Sequence, residues 1–267
     1  MKILVLGSEG QIGKPFCSIA KKLNHDIIHI DKKIGHDLAN YNFCLNFLNK
    51  LDFDVCLFLA FEVGGSKFLL NKDKTFEYIS ENTKLMSNVF EFLQSADKPF
   101  LFASSQMANM HHTNYGFLKD LGERYARSLN GHICRFWNVY GYEDANDPKS
   151  HVITDFIYMA KQGKINMRTT GQEQRQFLHT EDCSKALLHW CENHKLYDKK
   201  EYIDITSFKW NSVLDIANIV NKLISCEIIP GIGKDEIQIG IKNSPSDYVL
   251  NFWKPKLSLE EGIRKLL

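Results

Sequence analysis

The sequence predicts a doubly wound parallel α/β sheet followed by a smaller α/β lobe, and three observations predict it. Apolar runs of strand length alternate with stretches of helical spacing from residue 1 to about residue 140. The first run, Met1 to Leu6, stops at the glycine-bearing turn GSEGQIG before helical spacing takes over. Beyond Gly141 the alternation loosens and the composition shifts, without any stretch that reads as a flexible linker. Two units are therefore expected, residues 1–141 and 142–267, with a strand near 201–205 returning to the main sheet.

The opening strand, turn and helix carry the most information. Gly7, Gly10 and Gly13 stand three apart. The first allows a tight turn out of the strand, the second lets a pyrophosphate approach the backbone, and the third lets the helix pack closely on the sheet. The helix then points unpaired N–H groups and its positive dipole end at the phosphates. A second strand, Asp26 to Ile30, ends at Asp31, eighteen positions after Gly13. An acidic residue there hydrogen-bonds adenosine ribose hydroxyls and repels a 2′-phosphate, which argues for NAD over NADP. Strand, glycines, helix, strand and terminal Asp together predict a Rossmann-type dinucleotide-binding unit.

A helix is expected around Tyr41 to Lys50, preceded by a short link. In that link Asp37 and Leu38 either flank an adenine or form a simple loop with a helix N-cap. Asp54 to Ala60 reads as a buried strand whose continuous apolar character fits a sheet covered on both faces. It ends in FEVGGS, a second glycine turn, which belongs beside the first because ligands collect at the carboxyl ends of such strands. A long helix (about Phe76 to Ser95), a strand (Pro99 to Ala103), a helix (about Tyr115 to Leu129) and a strand (His132 to Trp137) complete the first unit. The second is expected to hold helices near 153–161, 180–194, 211–223 and 259–267 and a strand at 201–205.

Composition narrows the function. The 267 residues are 44% hydrophobic and 24% charged, ordinary for a globular chain. With 33 basic and 32 acidic side chains there is no footprint for nucleic acid or an anionic membrane surface. Small-molecule partners are expected. The seven cysteines are scattered, without a C-x-x-C pair, and read as reduced core thiols of a cytoplasmic protein; no metal site is expected. No signal segment is expected at the start, and no apolar run reaches the roughly 18 residues of a membrane span.

Tyr115 and Lys119 stand four apart at the start of a predicted helix, so both lie on one face. A cation beside a phenol lowers its pKa, and a nearby ammonium together with the positive nicotinamide ring is expected to bring the phenol from about 10 toward neutrality, where it acts as acid or base. Lys119 can also hold a nicotinamide ribose. Such a pair is a common surface coincidence by itself; its position after the fourth strand of a dinucleotide fold gives it meaning. Ser104 and Ser105 stand at the end of that strand, either hydrogen-bonding the same substrate oxygen or capping a loop.

At this point the chain resembles the extended short-chain dehydrogenase/reductases that act on nucleotide sugars, along nearly its whole length. GSEGQIG, with Gln11 and Ile12 between its glycines, is similar to the family's phosphate loop. Asp54 with Leu59 and Ala60 resembles its Asp-strand-Leu-Ala segment, and Asn82 its helix-start Asn. SSQ, YGFLK, RFWNVYG, RQFLHTED and KPKLSLEEGI resemble further family elements in the family's order. The resemblance implies hydride transfer between C4 of a nucleotide-linked sugar and a tightly held NAD. It makes Tyr115 the proton donor or acceptor, Lys119 its partner and Ser105 the second hydrogen bond. Gly7, Gly10, Gln11, Ile12, Gly13, Asp31, Asp37, Leu38, Leu59 and Ala60 would contact the cofactor. Gly64, Gly65, Ser105, Gln106, Asn138 and Arg175 would line the sugar nucleotide site, Arg175 pairing with its diphosphate.

The expected function is thus an NAD-dependent 4-dehydrogenase or 4-epimerase of a nucleotide sugar, of the kind that supplies bacterial surface polysaccharides. The alternatives are a nucleotide 4-keto-sugar reductase, or a catalytically silent dinucleotide-binding relative, against which the intact Tyr115, Lys119 and Ser105 weigh. A 4,6-dehydratase is not expected. Those relatives carry Asp-Glu after the Ser/Thr aligned with Ser105, where this chain has Gln106 and Met107, neither able to exchange a proton. A homodimer is expected, the two long helices of each protomer forming a four-helix bundle. The short link after Asp31 recommends comparison with 4-keto-sugar reductases, and the short segment between Ser105 and Tyr115 brings His111 and His112 near the active edge.

Overall fold

A computed structural model describes residues 1–64, 75–147, 149–235 and 243–267. Strands β1 (Lys2–Leu6), β2 (Asp26–Ile30), β3 (Val55–Phe58), β4 (Phe100–Ser105), β5 (His132–Phe136) and β9 (Tyr202–Ile205) form one parallel sheet in the order β2-β1-β3-β4-β5-β9. The chain order reverses at β1, which pairs with β2 on one side and β3 on the other. The crevice outside the carboxyl ends of these strands is where ligands bind in open α/β sheets.

The near-continuous apolar strands follow from burial on both faces. Ile3, Val5, Leu57, Ala103 and Ile203 pack on one side with Phe16 and Cys17 of α1 (Gly13–Lys22) and Leu187 and Trp190 of α6 (Thr180–Asn193). Leu4, Leu6, Phe58 and Phe102 pack on the other with Cys44 of α2 (Tyr41–Asn46), Met86, Val89 and Phe90 of α3 (Thr75–Ala96) and Leu118 and Ala126 of α4 (Asn114–Ser128). All seven cysteines are free thiols, and all but Cys226 are buried. Among the described residues no helix is long and apolar enough to cross a membrane.

The remainder has more structure than its sequence pattern suggested. Helices α5 (Val152–Lys161), α7 (Val213–Leu223) and α8 (Leu259–Arg264) occupy three of the expected positions. With them come the short strands β6 (Asn138–Tyr140), β7 (Lys164–Asn166), β8 (Gln174–His179), β10 (Trp210–Ser212) and β11 (Glu227–Ile229). They form a three-stranded sheet, β10-β8-β6, and a two-stranded one, β11-β7. Helix α7 begins at Val213 rather than Asn211, because Ser212 and Asp215 form a reciprocal capping box and residues 210–212 pair with β8 instead. Tyr140, Phe156, Ile165, Phe177, Ile216 and Ile263 form this region's own core.

Candidate active site

At the end of β1, Gly7 adopts φ +93, and a Cβ there would lie 2.6 Å from the Ala60 nitrogen. Both conformation and space therefore require glycine. A Cβ on Gly13 would collide with the Gly7 carbonyl oxygen and lie 2.9 Å from Ser8 Cα, so α1 is packed directly onto the turn. Gly10 differs: among the described residues a Cβ would meet only the Gly7 oxygen, at 3.3 Å.

Several polar groups here lack a protein partner. The N-terminus of α1, preceded by Ile12, has no side-chain cap and no acidic residue in its first turn. Ser8 Oγ and Gln11 Nε2 are buried without a hydrogen-bond partner among the described residues. Buried donors without acceptors, together with a helix N-terminus, fit the phosphates of a dinucleotide.

Asp31 is already engaged in shaping this loop. Its Oδ2 accepts from the Glu9 N–H at 2.9 Å and its Oδ1 from the Lys33 N–H at 2.9 Å. A carboxylate has about four lone-pair sites, so capacity for ribose hydroxyls remains. Asp37 accepts from the Ala39 N–H, Leu38 is buried in the core with Met86, Val89 and Phe90 of α3, and Asn40 caps α2. Leu59 continues from β3, its N–H donating to the Leu6 carbonyl at 2.8 Å.

The second loop is fixed by Asn82 of α3. Its Oδ1 accepts from the Glu62 N–H at 2.8 Å, and its Nδ2 donates to the Glu62 carbonyl at 3.1 Å. A single buried amide thus pins both backbone groups of Glu62. Gly64 is buried just beyond, and Gly65 lies outside the described residues.

The cluster expected to carry chemistry assembles at the end of β4. Thr113 caps α4 by accepting from the Gly116 N–H at 3.0 Å. Gly116 has no room for a Cβ against the Met107 and Met110 carbonyls, so the helix start lies tight against the turn after Ser105. This compact link brings Tyr115 into hydrogen bonding with Ser105. Lys119 is buried, donates to the Ala103 carbonyl at 2.7 Å and sits 3.6 Å from the Phe61 ring centroid. Its ammonium is 5.7 Å from the Tyr115 ring centroid.

Burial shifts the pKa of both groups. Burial raises Tyr115 above its ordinary value, and the Ser105 hydrogen bond opposes that only in part. The lysine yields instead: burial brings Lys119 down to about 7, with Glu123 acting in the opposite direction. Desolvation, which tertiary packing creates and spacing does not report, sets the direction of both shifts.

Around this cluster, Gln106 is joined by Asn109, Asn243, Trp137, Asp204 and Ser246, which the sequence reading did not single out. Gln106 is buried and accepts from Asn243 Nδ2 at 2.7 Å through its side-chain oxygen, while Asn109 donates to Asn243 at 3.0 Å. Trp137 donates to Asp204 at 2.8 Å, and the other Asp204 oxygen accepts from the Ser246 N–H at 3.0 Å. Spacing gave no signal for these contacts, which join residues far apart in the chain.

Asn138 begins β6 with its Oδ1 buried and unpartnered among the described residues, an acceptor aimed at no protein donor. Arg175, on β8, is bound to Asp235 and donates to the Gln174 carbonyl at 2.6 Å. The guanidinium read as a diphosphate partner therefore has a carboxylate partner here. His111 is exposed, 3.4 Å from Asp120, and His112 is exposed as well. Glu62 forms an ion pair with Lys149.

Residues 3–205 match the model of the NAD dependent epimerase/dehydratase family. A GDP-L-fucose synthase from Sinorhizobium fredii is 26% identical over 299 residues, spanning 99% of this chain and 93% of that protein. The solved structure of MlghC, a GDP-mannoheptose C4 reductase from Campylobacter jejuni with NADP bound, superposes with a TM-score of 0.79 at 16% identity, covering 99% of this chain and 96% of that one. WbmF from Bordetella bronchiseptica, in complex with NADH, gives a TM-score of 0.81 at 18% identity, covering 99% and 90%.

Proposed function

Because the chain belongs to the NAD dependent epimerase/dehydratase family, we propose that it exchanges a hydride between a nicotinamide dinucleotide and C4 of a nucleotide-activated sugar, as a 4-dehydrogenase or 4-epimerase. The observation that carries this reading is the Ser105, Tyr115 and Lys119 cluster at the carboxyl edge of the sheet, beside a glycine turn with unpartnered donors. The dinucleotide, when bound, accepts or supplies the hydride. Tyr115 moves the proton at the C4 oxygen, Ser105 hydrogen-bonds that oxygen, and Lys119 supplies positive charge beneath both. Gly7, Gly10, Gln11 and Gly13 hold the pyrophosphate, Asp31 the adenosine ribose. Asn138 and Arg175 contact the sugar nucleotide, Arg175 by exchanging Asp235 for the diphosphate.

A second reading, net reduction of a 4-keto sugar, uses the same residues in the opposite direction. It is favoured by the curated relative and by the C4 reductase among the solved structures, both named for GDP-linked compounds. NAD is the preferred cofactor in the first reading through Asp31, although related structures hold either NADP or NADH. Elimination of water is no part of either. Gln106 is an amide and Met107 a thioether, neither an acid or base near neutral pH, His111 is turned to Asp120, and Glu62 is paired with Lys149. Exposed Phe76 and Ile79 on α3 and Phe117 and Tyr125 on α4 support pairing of these helices in a homodimer.

Denaturing the purified protein and weighing the released small molecules tests the cofactor assignment. A nicotinamide dinucleotide is expected; none released, and none binding on addition, would overturn it. Tyr115→Phe should lower turnover by at least about a hundredfold while leaving dinucleotide affinity intact. Full turnover in that variant would remove the phenol from the chemistry.

A further inference from the structure

Helix α4 carries a third residue on the face of Tyr115 and Lys119. Glu123 follows Lys119 by four positions, as Lys119 follows Tyr115, so the three side chains form one row along the helix. Glu123 is only 2% exposed. Its carboxylate receives both prongs of the Arg135 guanidinium, at 2.8 and 2.7 Å, and the Ser104 hydroxyl at 2.5 Å. Arg135 is held in turn over the Tyr202 ring, 3.6 Å from its centroid. A bidentate fork plus a hydroxyl fixes the carboxylate in one orientation.

We propose that Glu123, aimed by Arg135 and Ser104, is a positioning residue whose negative charge keeps the buried Lys119 ammonium protonated beneath the catalytic phenol. The proposal rests on the role given above to Lys119. The ammonium is removed from water, and beside it lie one carbonyl and the rings of Phe61, Phe102 and Tyr115, none of them an anion. An uncompensated buried ammonium loses its proton.

The ionisable groups on the surrounding elements are Tyr115 and Glu123 on α4, Arg135 on β5, Tyr202 and Asp204 on β9, Tyr78 on α3 and Glu62 in the loop after β3. Of these, Glu123 stands one helical turn from Lys119 on the same face, and its charge opposes the burial that brings the lysine down to about 7. At such a midpoint the cationic fraction is about one half, and a shift of one unit moves it to about one tenth or nine tenths. Glu123 therefore decides how much of the protein carries a charged Lys119 at neutral pH. Arg135 has a second effect, since its positive charge partly cancels the field of Glu123 at the lysine.

This arrangement predicts opposite effects from the two halves of one ion pair, which a purely structural bridge does not. Carbon-13 labelling of lysine in the cofactor-free protein lets the Lys119 Cε resonance be followed through pH, assigned by its loss in Lys119→Met. The wild-type midpoint is expected near neutrality. Glu123→Gln should lower it by on the order of one pH unit or more, and Arg135→Gln, which leaves the carboxylate unopposed, should raise it. Glu123→Asp, which retains the charge, should return it toward wild type.

A midpoint in the ordinary lysine range in the wild type would overturn the proposal. So would shifts of the same sign in folded Glu123→Gln and Arg135→Gln. If those two variants fail to fold, Ser104→Ala decides, because it removes one hydroxyl and no charge. It should raise the midpoint by a few tenths of a unit, as the carboxylate loses a donor that damps its field; no shift or a fall would refute the idea. The titration needs neither cofactor nor substrate, so a failure of the sugar-nucleotide reading and a failure of this proposal are told apart.

Discussion

Alanine substitutions at Gly13 and Gly10 should have opposite consequences, although the two glycines belong to one turn. At Gly13 the added Cβ collides with the Gly7 carbonyl oxygen and lies 2.9 Å from Ser8 Cα. Both obstacles are backbone, so relief requires displacement of α1 or the turn by ~1 Å rather than rotation of a side chain. Overpacking of this kind costs about 1–3 kcal/mol, and a backbone obstacle places the cost at the upper end. For a chain of this size about 3 kcal/mol lowers the melting temperature by roughly 6 to 12 °C.

At Gly10 the only neighbour among the described residues is the Gly7 oxygen at 3.3 Å, and the backbone is outside the left-handed region. Stability should therefore stay within about 0.5 kcal/mol of wild type, helped by the reduced entropy of the unfolded chain. The methyl group nevertheless occupies the open side on which the pyrophosphate is read to lie, so dinucleotide affinity should fall at least about tenfold, equivalent to about 1.4 kcal/mol. Denaturant melts measure the first quantity and quenching of intrinsic fluorescence by added dinucleotide the second. Wild-type affinity in Gly10→Ala, or equal loss of stability in both variants, would refute the division of roles.

Other expectations follow from single sites. His132 is 2% exposed, its Nε2 faces the Tyr197 carbonyl, and burial lowers its pKa to about 4. The unfolded chain takes up this proton first, so the contribution is complete above about pH 6.5 and is lost as pH falls toward 4, by about 3 kcal/mol. Melts at pH 7 and 4.5 should show a shallower acid loss in His132→Gln; an unchanged slope would contradict it. Asp31→Ala should weaken NAD and reduce discrimination against NADP, read from the two dissociation constants, and unchanged preference would remove Asp31 from specificity. Light scattering at micromolar concentration should report twice the 30.9 kDa chain mass, whereas the monomer mass would count against pairing through α3 and α4.

The parts legible in the sequence are those whose cause is local. Ile3 to Leu6 read as a doubly buried strand because each residue has a sheet face to fill, and Tyr115 and Lys119 share a helix face by spacing alone. The three-residue strands β6, β7, β10 and β11 are too short to show a period, and each exists only through its partner strand. Engagements between distant residues were equally silent: Arg175 with Asp235, Trp137 with Asp204, and Asn243 with Gln106. The direction of the phenol's pKa belongs to the same class. Spacing reports the neighbouring cation, while desolvation arises only when Phe61 and the turn after Ser105 pack over the site.

The most direct test of the central account is to incubate the protein with nicotinamide dinucleotide and a panel of nucleotide hexoses, nucleotide heptoses and their 4-keto derivatives, then weigh the products. Redox chemistry at C4 predicts a product that has lost or gained two hydrogens, or an isomer of unchanged mass, with Tyr115→Phe abolishing the change. A product lighter by one water would contradict the account.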